Sequence, residues 1–405
     1  MLIVKKFGGS SVANAERVKN VANRIVESYK EGNDVVVVLS AQGDTTDDLI
    51  AKAEEINPNP SKREMDMLLA TGEQQSVALM AMAIHALGVP AISLNASQCK
   101  IASSSNYGNA RIKNINSERI FNELDRKNIV IITGFQGINK FGDVTTLGRG
   151  GSDTSAVALA AKLNADLCEI YTDVDGVYTC DPRIVKKARK LKEISYDEML
   201  ELASLGAKVL HNRSVELAKK YNVNLVVRSS LTNAEGTIVK EGSAVERMLV
   251  NGVAVDKDVS RIAIIGVKNE PGIAFKLFSM LAKAKISVDI ILQSIGRDDK
   301  KDISFTVAST DLNDALKVME NNKDRFAYEK IDHDDNVAKV SIVGSGMATN
   351  AGVAATMFEA LYNENINIRM ISTSEIKISV LVDKNDADRA ANAIHDKFML
   401  ESEVR

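Results

Sequence analysis

The chain has 405 residues, of which 45% are hydrophobic and 26% are charged, with a formal net charge of −3 at pH 7. This length exceeds one ordinary hydrophobic core, so more than one domain is expected. The charge gives no sign of nucleic-acid or anionic-membrane partners, and no apolar run reaches the ~20 residues that cross a bilayer.

The N-terminus and the cysteines predict a cytoplasmic protein. The opening MLIVKKFGG is too short for a signal-peptide core and has no charged region before it. Cys99, Cys168 and Cys180 are odd in number and include no CxxC pair. This pattern predicts neither a disulfide framework nor a zinc site. We therefore expect buried thiols and no metal held by the chain itself.

In chain order, the first ~230 residues alternate short β-branched runs with longer amphipathic stretches, the pattern of a parallel sheet covered by helices. The predicted strands are 2–6, 34–39, 91–94, 129–133, 168–171 and 225–228. Apolar residues three to four apart predict helices at 13–29, 65–87, 152–163 and 207–221. The run 35–39 has no polar position, which predicts a strand buried on both faces. The expected fold class is α/β, a three-layer αβα sandwich with a mostly parallel sheet.

A polar, small-residue segment at 233–246, NAEGTIVKEGSAVE, predicts a domain boundary. Beyond it, stretches starting at Arg261 and Lys339 share one order of strand, glycine-containing turn, amphipathic helix and strand. Each is followed by a β-rich run and a helical tail, which predicts two ferredoxin-like βαββαβ modules. The predicted domains are 1–232, a linker at 233–249, and modules at 250–335 and 336–405.

A glycine-rich loop follows the first predicted strand. Lys6, Phe7, Gly8 and Gly9 lead into a helix. Backbone N–H groups and the helix N-terminus can approach an anion there, with the lysine as a point charge for phosphate oxygens. Taken alone, the loop fits a structural turn with a surface lysine better than a phosphate site. It matches neither GxxxxGK[ST] nor GxGxxG.

A second glycine-rich loop, TTLGRGGSD, precedes the helix predicted at 152–163. Arg149 stands among its glycines, and a guanidinium fork suits a carboxylate. Gly150 and Gly151 add backbone donors at the helix start. Ser152 or Asp153 also fits the simpler role of an N-cap, so both interpretations stay open.

Further polar segments complete the set. YTDVDGVY and DPR, within 171–183, follow a buried strand, where open α/β sheets place ligands, although Asp-Gly turns are common. SAQGDTTD follows the all-valine strand, and Thr71–Gly72–Glu73 is predicted to interrupt the long helical region with a carboxylate. Together the loops supply phosphate donors, an arginine for a carboxylate and an acid for an ammonium group. An ATP-dependent enzyme acting on an acidic amino acid needs this combination.

At this point the chain resembles the aspartate kinase family. The motifs that carry the resemblance are KFGGSS, SAQGDTTDDL, TGEQ, NARI, TLGRGGSDTSA, YTDVDGVYTCDPR, GAKVLH and ISTSEIKISVLV. They occur in the family's order over nearly the whole chain. The first part is similar to an amino acid kinase domain and the repeats to ACT domains, as in the single-function bacterial enzymes.

The resemblance implies transfer of the γ-phosphoryl group of ATP, with Mg²⁺, to the side-chain carboxylate of L-aspartate. Lys6 and the backbone of Phe7, Gly8 and Gly9 would hold the phosphoryl group, with Ser10 alongside. Asp153 would organise the reacting groups. The implied substrate positions are Ser40, Thr46, Glu73 for the α-ammonium, Arg149 for the α-carboxylate, Gly150, Gly151 and Ser152. The implied nucleotide positions are Ser40, Thr172, Asp173, Tyr178, Asp181, Arg183 and Lys208.

The ACT resemblance implies feedback by lysine, threonine or both, and association of copies into a homo-oligomer. The implied effector positions are Asn269, Gly272, Ile273, Ala274, Asp289 and Gln293 in the first module and Ser372, Thr373, Ser374 and Glu375 in the second. The second module has MATNAGV where the first has a Pro-Gly turn, so its effector stays open. Met248 is a candidate start for a separately translated regulatory subunit.

Two other functions remain open from the sequence. One is a kinase of the same fold acting on glutamate or acetylglutamate. The other is a non-catalytic amino-acid sensor, against which the joint presence of Lys6, Arg149 and Glu73 argues. An aspartate side chain is already ionised at neutral pH and needs no general base. We therefore assign no chemical role to His85, His211, His333 or His395.

Overall fold

The computed structural model describes residues 1–207, 209–242, 249–294, 296, 299–323 and 327–401. Lys208 and Met248, both singled out from the sequence, lie outside these ranges. The chain divides into two compact units. The first contains Met1–Tyr178, Lys190–Ser204 and 209–242, and the second contains Thr179–Arg189, Leu205–Ala207 and the described residues from 249 onward. Over these ranges no helix has both the length and the apolar character to span a membrane.

An eight-stranded sheet forms the centre of the first unit, in the order β10-β12-β11-β9-β1-β2-β6-β3. Its strands are β1 Leu2–Phe7, β2 Asp34–Leu39, β3 Ala91–Leu94, β6 Ile129–Thr133, β9 Leu167–Thr172, β10 Glu193–Ser195, β11 Leu225–Ser229 and β12 Thr237–Lys240. All neighbours pair in parallel except β11 and β12. The predicted α/β class with a mostly parallel sheet is confirmed.

Helices cover both faces of this sheet. They are α1 Ala15–Lys30, α2 Thr45–Ile56, α3 Lys62–Ala86, α4 Glu118–Asp125, α5 Gly151–Leu163, α6 Tyr196–Ser204 and α7 Asn212–Tyr221. One face packs on α1 and α3, and α5 packs on the other. Val35 to Leu39 are 0% exposed, as expected for a strand with helices on both sides.

Two predictions about helices are wrong. The helix expected from residue 207 begins at Asn212, because His211 has extended backbone and its side chain accepts the N–H of Arg213 as an N-cap. Thr71–Gly72–Glu73 does not interrupt the helical region but lies inside the continuous α3. A Cβ on Gly72 would stand 2.8 Å from that of Ala41, so close packing explains a glycine in mid-helix.

A small second sheet in the first unit was not predicted. Its order is β5-β4-β7-β8, with β4 Ile101–Ser103, β5 Ile112–Ile115, β7 Gln136–Ile138 and β8 Val144–Thr146. Strands of three or four residues are too short to show a hydrophobic period, which explains the omission. The last of them, β8, leads directly toward α5.

The second unit is built on a six-stranded antiparallel sheet in the order β14-β15-β13-β16-β18-β17. Its strands are β13 Gly252–Lys268, β14 Ile291–Gln293, β15 Lys300–Val307, β16 Lys330–Val343, β17 Met370–Thr373 and β18 Lys377–Asp383. Its helices are α8 Ile273–Lys283, α9 Leu312–Glu320, α10 Val353–Asn363 and α11 Ala387–Glu401.

The two modules share their central strands. The second half of β13 pairs with β15 and with the first half of β16, completing one βαββαβ module. The first half of β13, from Gly252 to Asp256, pairs with Lys339–Val343 and takes the fourth position in the other module. The second module therefore takes one edge strand from Gly252–Asp256, at the start of the segment predicted to be the first module. The module boundaries inferred from sequence stay a prediction.

Candidate active site

The loops after β1, β2 and β9 meet at one edge of the large sheet. Ser40 donates its backbone N–H to the carbonyl of Phe7 at 3.2 Å, and Gly43 donates to Gly9 at 3.0 Å. Gly8 donates to the carbonyl of Tyr171, the residue before Thr172, at 3.4 Å. Parallel strands present their carboxyl ends on one edge, where α/β proteins place ligands. The structure thus brings together the loops of the predicted phosphate and substrate residues.

Lys6 lies at the centre of this edge. Its Nζ is 2.7 Å from Oδ1 of Asp153, and the two side chains are 11% and 13% exposed. The alternation along β1 directs Lys6 toward α5, whereas Lys5 points to the opposite face and pairs with Glu169. Asp153 stands in the first turn of α5. A buried cation is therefore held beside a helix N-terminus, an arrangement suited to an anionic ligand.

The glycine-rich turn into α5 is tightly packed. Gly150 has φ +65°, and a Cβ there would lie 2.2 Å from Cγ of His211. Only glycine fits that position, because the conformation and the space both exclude a side chain. Ser152 is buried in the first turn of α5. The side chain of Ser155, in the same helix, accepts the backbone N–H of Phe135 at 3.1 Å. The predicted substrate residues Gly150, Gly151 and Ser152 thus occupy a rigid turn.

Glu73 reaches the same edge from α3. It is 2% exposed, and its Oε1 accepts the backbone N–H of Ala41 at 3.2 Å. Its Oε2 is buried without a hydrogen-bond partner among the residues that the structure describes. Burial raises the pKa of Glu73 to about 7. Near neutral pH this carboxylate is therefore suited to a cationic ligand.

We expect Glu73→Gln to stabilise the ligand-free protein at pH 8. Because the pKa of Glu73 is raised from 4.5 to about 7, the folded state retains a proton that the unfolded state loses. Stability then falls as pH rises from about 4.5 to about 7, and glutamine removes that loss. The expected gain in the free energy of unfolding at pH 8 is about 1–3 kcal/mol, and it should shrink toward zero at pH 5. Urea unfolding at both pH values measures it.

Glu123→Gln is the matched control. Glu123 is also 2% exposed, but Arg119 and Arg126 pair with its carboxylate. Its neutralisation should lower stability at pH 8, in the opposite direction to Glu73→Gln. A Glu73→Gln protein with the same stability relative to wild type at both pH values contradicts the assigned titration.

Arg149 and Thr46 stand apart from these contacts. Arg149 is exposed in the loop between β8 and α5, and it forms no ion pair with any residue of the described ranges. Its guanidinium is therefore available to an external anion. Thr46 is half-buried in the first turn of α2. The structure records no direct contact between either side chain and Lys6.

The predicted nucleotide residues fall into two groups. Thr172 donates its hydroxyl to Asp173 at 2.9 Å, and Tyr178 donates to Asp175 at 2.8 Å. Lys190 also reaches Asp175, at 3.3 Å. The sequence did not indicate this contact of Lys190, because no local pattern links the residue to a loop 15 positions earlier.

Asp181 and Arg183 lie in the second unit. Their side chains pair at 2.7 Å, and the Arg183 guanidinium lowers the pKa of Asp181. The segment Thr179–Arg189 is anchored there by Cys180 and Val185, which are buried in the core of the second module. The predicted nucleotide residues are thus divided between the units, which the motif order along the chain did not indicate.

The predicted effector residues of the first module cluster at a helix start and an edge strand. Gly272 has φ +90° and is the N-cap of α8, which begins with Ile273 and Ala274. Asp289 forms an ion pair with Lys339, which is 4% exposed. The remaining positions are Asn269, just after β13, and Gln293, at the end of β14. The sequence did not indicate this ion pair, because 50 residues separate Lys339 from Asp289.

The second module repeats this arrangement. A cleft of about 510 Å³ is lined by Thr373, Ser374 and Glu375 together with Gly352 and Val353 at the start of α10. Gly352 has φ +94° and is the N-cap of that helix, like its counterpart in the first module. Ser372 lies on β17 and directly precedes Thr373, the first of these cleft residues in β17. The matching helix starts support the internal duplication inferred from sequence.

Comparison with known proteins places these features in a family. The amino acid kinase family matches residues 1–229, and the ACT domain matches residues 262–322 and 340–398. An aspartokinase of Bacillus sp. (strain MGA3) is 52% identical over 400 residues, covering 98% of this chain and 97% of that relative.

Solved structures agree with this match. E. coli aspartokinase III in complex with aspartate and ADP (R-state) is similar with a TM-score of 0.81 and 26% identity, covering 98% of this chain and 100% of that one. The same enzyme in complex with lysine and aspartate (T-state) gives a TM-score of 0.77 and 26% identity, covering 98% and 99%. Both the resemblance seen in the motifs and the predicted enzyme class are confirmed. The chain belongs to the aspartokinase family, in which an amino acid kinase domain is combined with ACT domains.

Proposed function

We propose that the chain transfers the γ-phosphoryl group of ATP to the side-chain carboxylate of L-aspartate, producing 4-phospho-L-aspartate and ADP. The main support is the buried Lys6, held by Asp153 beside the start of α5. A cation in a site of low dielectric stabilises charge on phosphoryl oxygens far better than a solvated one.

The reaction proceeds by in-line displacement. A carboxylate oxygen of aspartate forms a bond to the γ-phosphorus while the bond to the β–γ bridging oxygen breaks, and ADP leaves with that electron pair. The nucleophile is already ionised, so no base is needed. Lys6 and the backbone of Phe7, Gly8 and Gly9 hold the phosphoryl group and stabilise the negative charge on its oxygens. Asp153 fixes the lysine in place.

Two groups of opposite charge recognise the α-carbon end of the substrate. The α-ammonium group supplies the partner for Oε2 of Glu73, which is buried and without a hydrogen bond in the described part of the chain. The guanidinium of Arg149 takes the α-carboxylate in a forked arrangement. Ser40, Thr46 and Ser152 line the space between them.

ATP enters with Mg²⁺ bound to its phosphates. Across the described ranges, no group of three or more His, Cys, Asp or Glu side chains is placed to hold a metal ion. Mg²⁺ retains waters and binds substrate phosphates readily, which suits a site without a protein cage. Thr172, Asp173 and Tyr178, which lie at or after the end of β9 in the first unit, are the nucleotide residues that this unit supplies. The family resemblance also implies nucleotide roles for Asp181, Arg183 and Lys208.

The second unit binds lysine, threonine or both, and joins copies of the chain into an oligomer. Ile291, Leu292 and Ile371 are apolar residues of the edge strands β14 and β17 that are 49%, 39% and 39% exposed. Unpaired edges with exposed apolar side chains favour pairing with another sheet. A separate regulatory subunit started at Met248 would carry this same surface. The buried free thiols suit a cytoplasmic enzyme.

Hydroxamate trapping of acyl phosphate tests the function. The purified chain is supplied with MgATP and with aspartate, glutamate or acetylglutamate, and the aspartate reaction is repeated with lysine and threonine, singly and together. We expect product from aspartate and inhibition by at least one effector. A preference for glutamate or acetylglutamate contradicts the assignment of aspartate as the phosphoryl acceptor. A chain that binds lysine or threonine but not ATP in equilibrium dialysis is a sensor instead.

A further inference from the structure

Asp66 is a buried acid that the mechanism above does not use. It lies on α3 and is 1% exposed. Both of its oxygens accept the backbone N–H of Gly108 at 3.0 Å. Its Oδ2 also accepts the backbone N–H of Thr146 at 2.9 Å, and its Oδ1 accepts the Thr146 hydroxyl at 2.7 Å. One carboxylate therefore joins two separate segments of chain to α3.

Those segments surround the loop that carries Arg149. Thr146 ends β8, three residues before Arg149. Gly148 has φ +79°, and a Cβ on it would lie 3.2 Å from the carbonyl of Gly108 and 3.3 Å from the side chain of Asn109. Ala110 donates its N–H to the carbonyl of Thr146 at 2.8 Å. The NARI motif at 109–112, which received no role from the sequence, thus forms the floor of this loop.

Arg213 secures the loop from the side of α7. Its guanidinium donates to the carbonyl of Leu147 at 2.8 Å and to that of Ala110 at 2.7 Å. The backbone on the N-terminal side of Arg149 is therefore tied at successive residues, whereas the Arg149 side chain itself is exposed. Fixed backbone with a free guanidinium is the arrangement expected of a preorganised binding group.

Asp66 and Glu73 also stand on one face of the same helix. They are seven residues apart, two helical turns, which corresponds to a rise of about 10.5 Å. Both are buried, and each reaches a different loop of the site: Glu73 contacts Ala41, and Asp66 holds the segment leading to Arg149. A single rigid helix thus fixes the two elements to which substrate recognition was assigned.

We propose that Asp66 is a positioning residue for aspartate: it sets Arg149 at the correct distance from Glu73 by fastening the β8–α5 loop to α3. This inference rests on the proposed function, specifically on Arg149 as the carboxylate-binding group. Asp66 acts through Thr146 and Gly108 and touches neither substrate.

Asp66→Asn is the test. The amide has one oxygen, so its NH₂ group must face a backbone N–H donor, which loosens the loop. We expect the KM for aspartate to rise about 10- to 100-fold, the effect of a displacement near 1 Å. The KM for ATP should stay within about twofold of wild type. Glu123→Gln, at a buried carboxylate of α4 outside the site, is the matched control and should leave both KM values unchanged.

A double-mutant cycle with Arg149→Ala separates positioning from general loss of structure. If Asp66 acts through Arg149, adding Asp66→Asn to Arg149→Ala should raise the KM for aspartate by no more than about threefold, because the guanidinium that Asp66 positions is already absent. Full multiplication of the two effects overturns the proposal. Thr146→Val removes only the hydroxyl donor and serves if Asp66→Asn does not fold, with an expected rise of about 3- to 10-fold and the same non-additivity.

The outcomes distinguish this proposal from the function on which it rests. A wild-type chain that forms no aspartyl phosphate refutes the function. A wild-type chain that does so, with Arg149→Ala impaired for aspartate but Asp66→Asn and Thr146→Val both within twofold of wild type, refutes positioning alone.

Discussion

Lys6→Met is expected to lower kcat for aspartyl phosphate formation by about 10³-fold. Methionine keeps the length of the side chain and removes its charge. Removal of one preorganised donor from a site of developing negative charge costs about 10²- to 10³-fold in rate, and loss of a full cation at a phosphoryl group costs more. The measurement is hydroxamate trapping at saturating MgATP and aspartate, on protein shown to be folded by circular dichroism.

This substitution also affects stability, and the design must separate the two effects. Asp153 is 13% exposed and loses its cation, a change that costs about 3–5 kcal/mol in buried pairs. Lys6→Met/Asp153→Asn removes both charges and should recover much of that stability without recovering activity. If the double variant regains near-normal kcat, Lys6 has no catalytic role.

Lys5→Met is the matched control for Lys6→Met. Lys5 is the adjacent residue of β1, is 5% exposed and also pairs with a buried acid, Glu169. It points to the opposite face of the sheet, and Glu169 keeps Arg228 at 3.1 Å after the substitution. We expect Lys5→Met to keep kcat within about tenfold of wild type. If Lys5→Met and Lys6→Met lower kcat equally, the loss comes from disturbing β1 and not from removing a charge at the position of Lys6.

Arg149→Ala is expected to raise the KM for aspartate about 100-fold with little change in the KM for ATP. Two charge-assisted hydrogen bonds to a carboxylate contribute on the order of 3 kcal/mol, and each 1.4 kcal/mol is a factor of about ten. Because Arg149 is exposed, its removal should leave the melting temperature unchanged. Steady-state kinetics with each substrate varied in turn measure both constants.

Arg149→Lys refines this prediction. Lysine keeps the charge but cannot make the forked contact, so an intermediate rise of about tenfold is expected. A collapse of ATP affinity in Arg149→Ala, with the KM for aspartate unchanged, would assign the guanidinium to the nucleotide instead.

The fold of the first unit could be predicted from the sequence because its signals are local. The unbroken apolar run at Val35–Leu39 demands burial on both faces, which helices on a parallel sheet provide. Glycines and polar residues just after such strands indicate where ligands bind, since parallel strands end on one edge. Lys6 and the β8–α5 loop were identified as candidates in this way.

Other features depend on residues far apart in the chain. Glu73 was recognised as a candidate within the helix predicted at 65–87, but Thr71–Gly72–Glu73 was wrongly expected to interrupt it, because only the packing of Gly72 on Ala41 explains a glycine within the helix. The contact of Asp66 with Thr146 spans 80 residues, and no local pattern reports it. The strand shared by the two modules is a pairing of Gly252–Asp256 with Lys339–Val343, which repeat analysis treats as separate units.

The sequence by itself indicated the α/β class and the duplicated C-terminal modules, because hydrophobic period and loop composition act over a few residues. The family and the candidate site residues came from the resemblance of the ordered motifs. Tertiary structure alone decided which buried acid keeps an oxygen without a hydrogen bond in the described part of the chain, as Glu73 does, and which one fastens loops, as Asp66 does. It also decided that Thr179–Arg189 packs in the second unit. Burial, hydrogen-bond partners and raised pKa values arise from the surroundings of a side chain, and those surroundings are assembled from distant segments only when the chain folds.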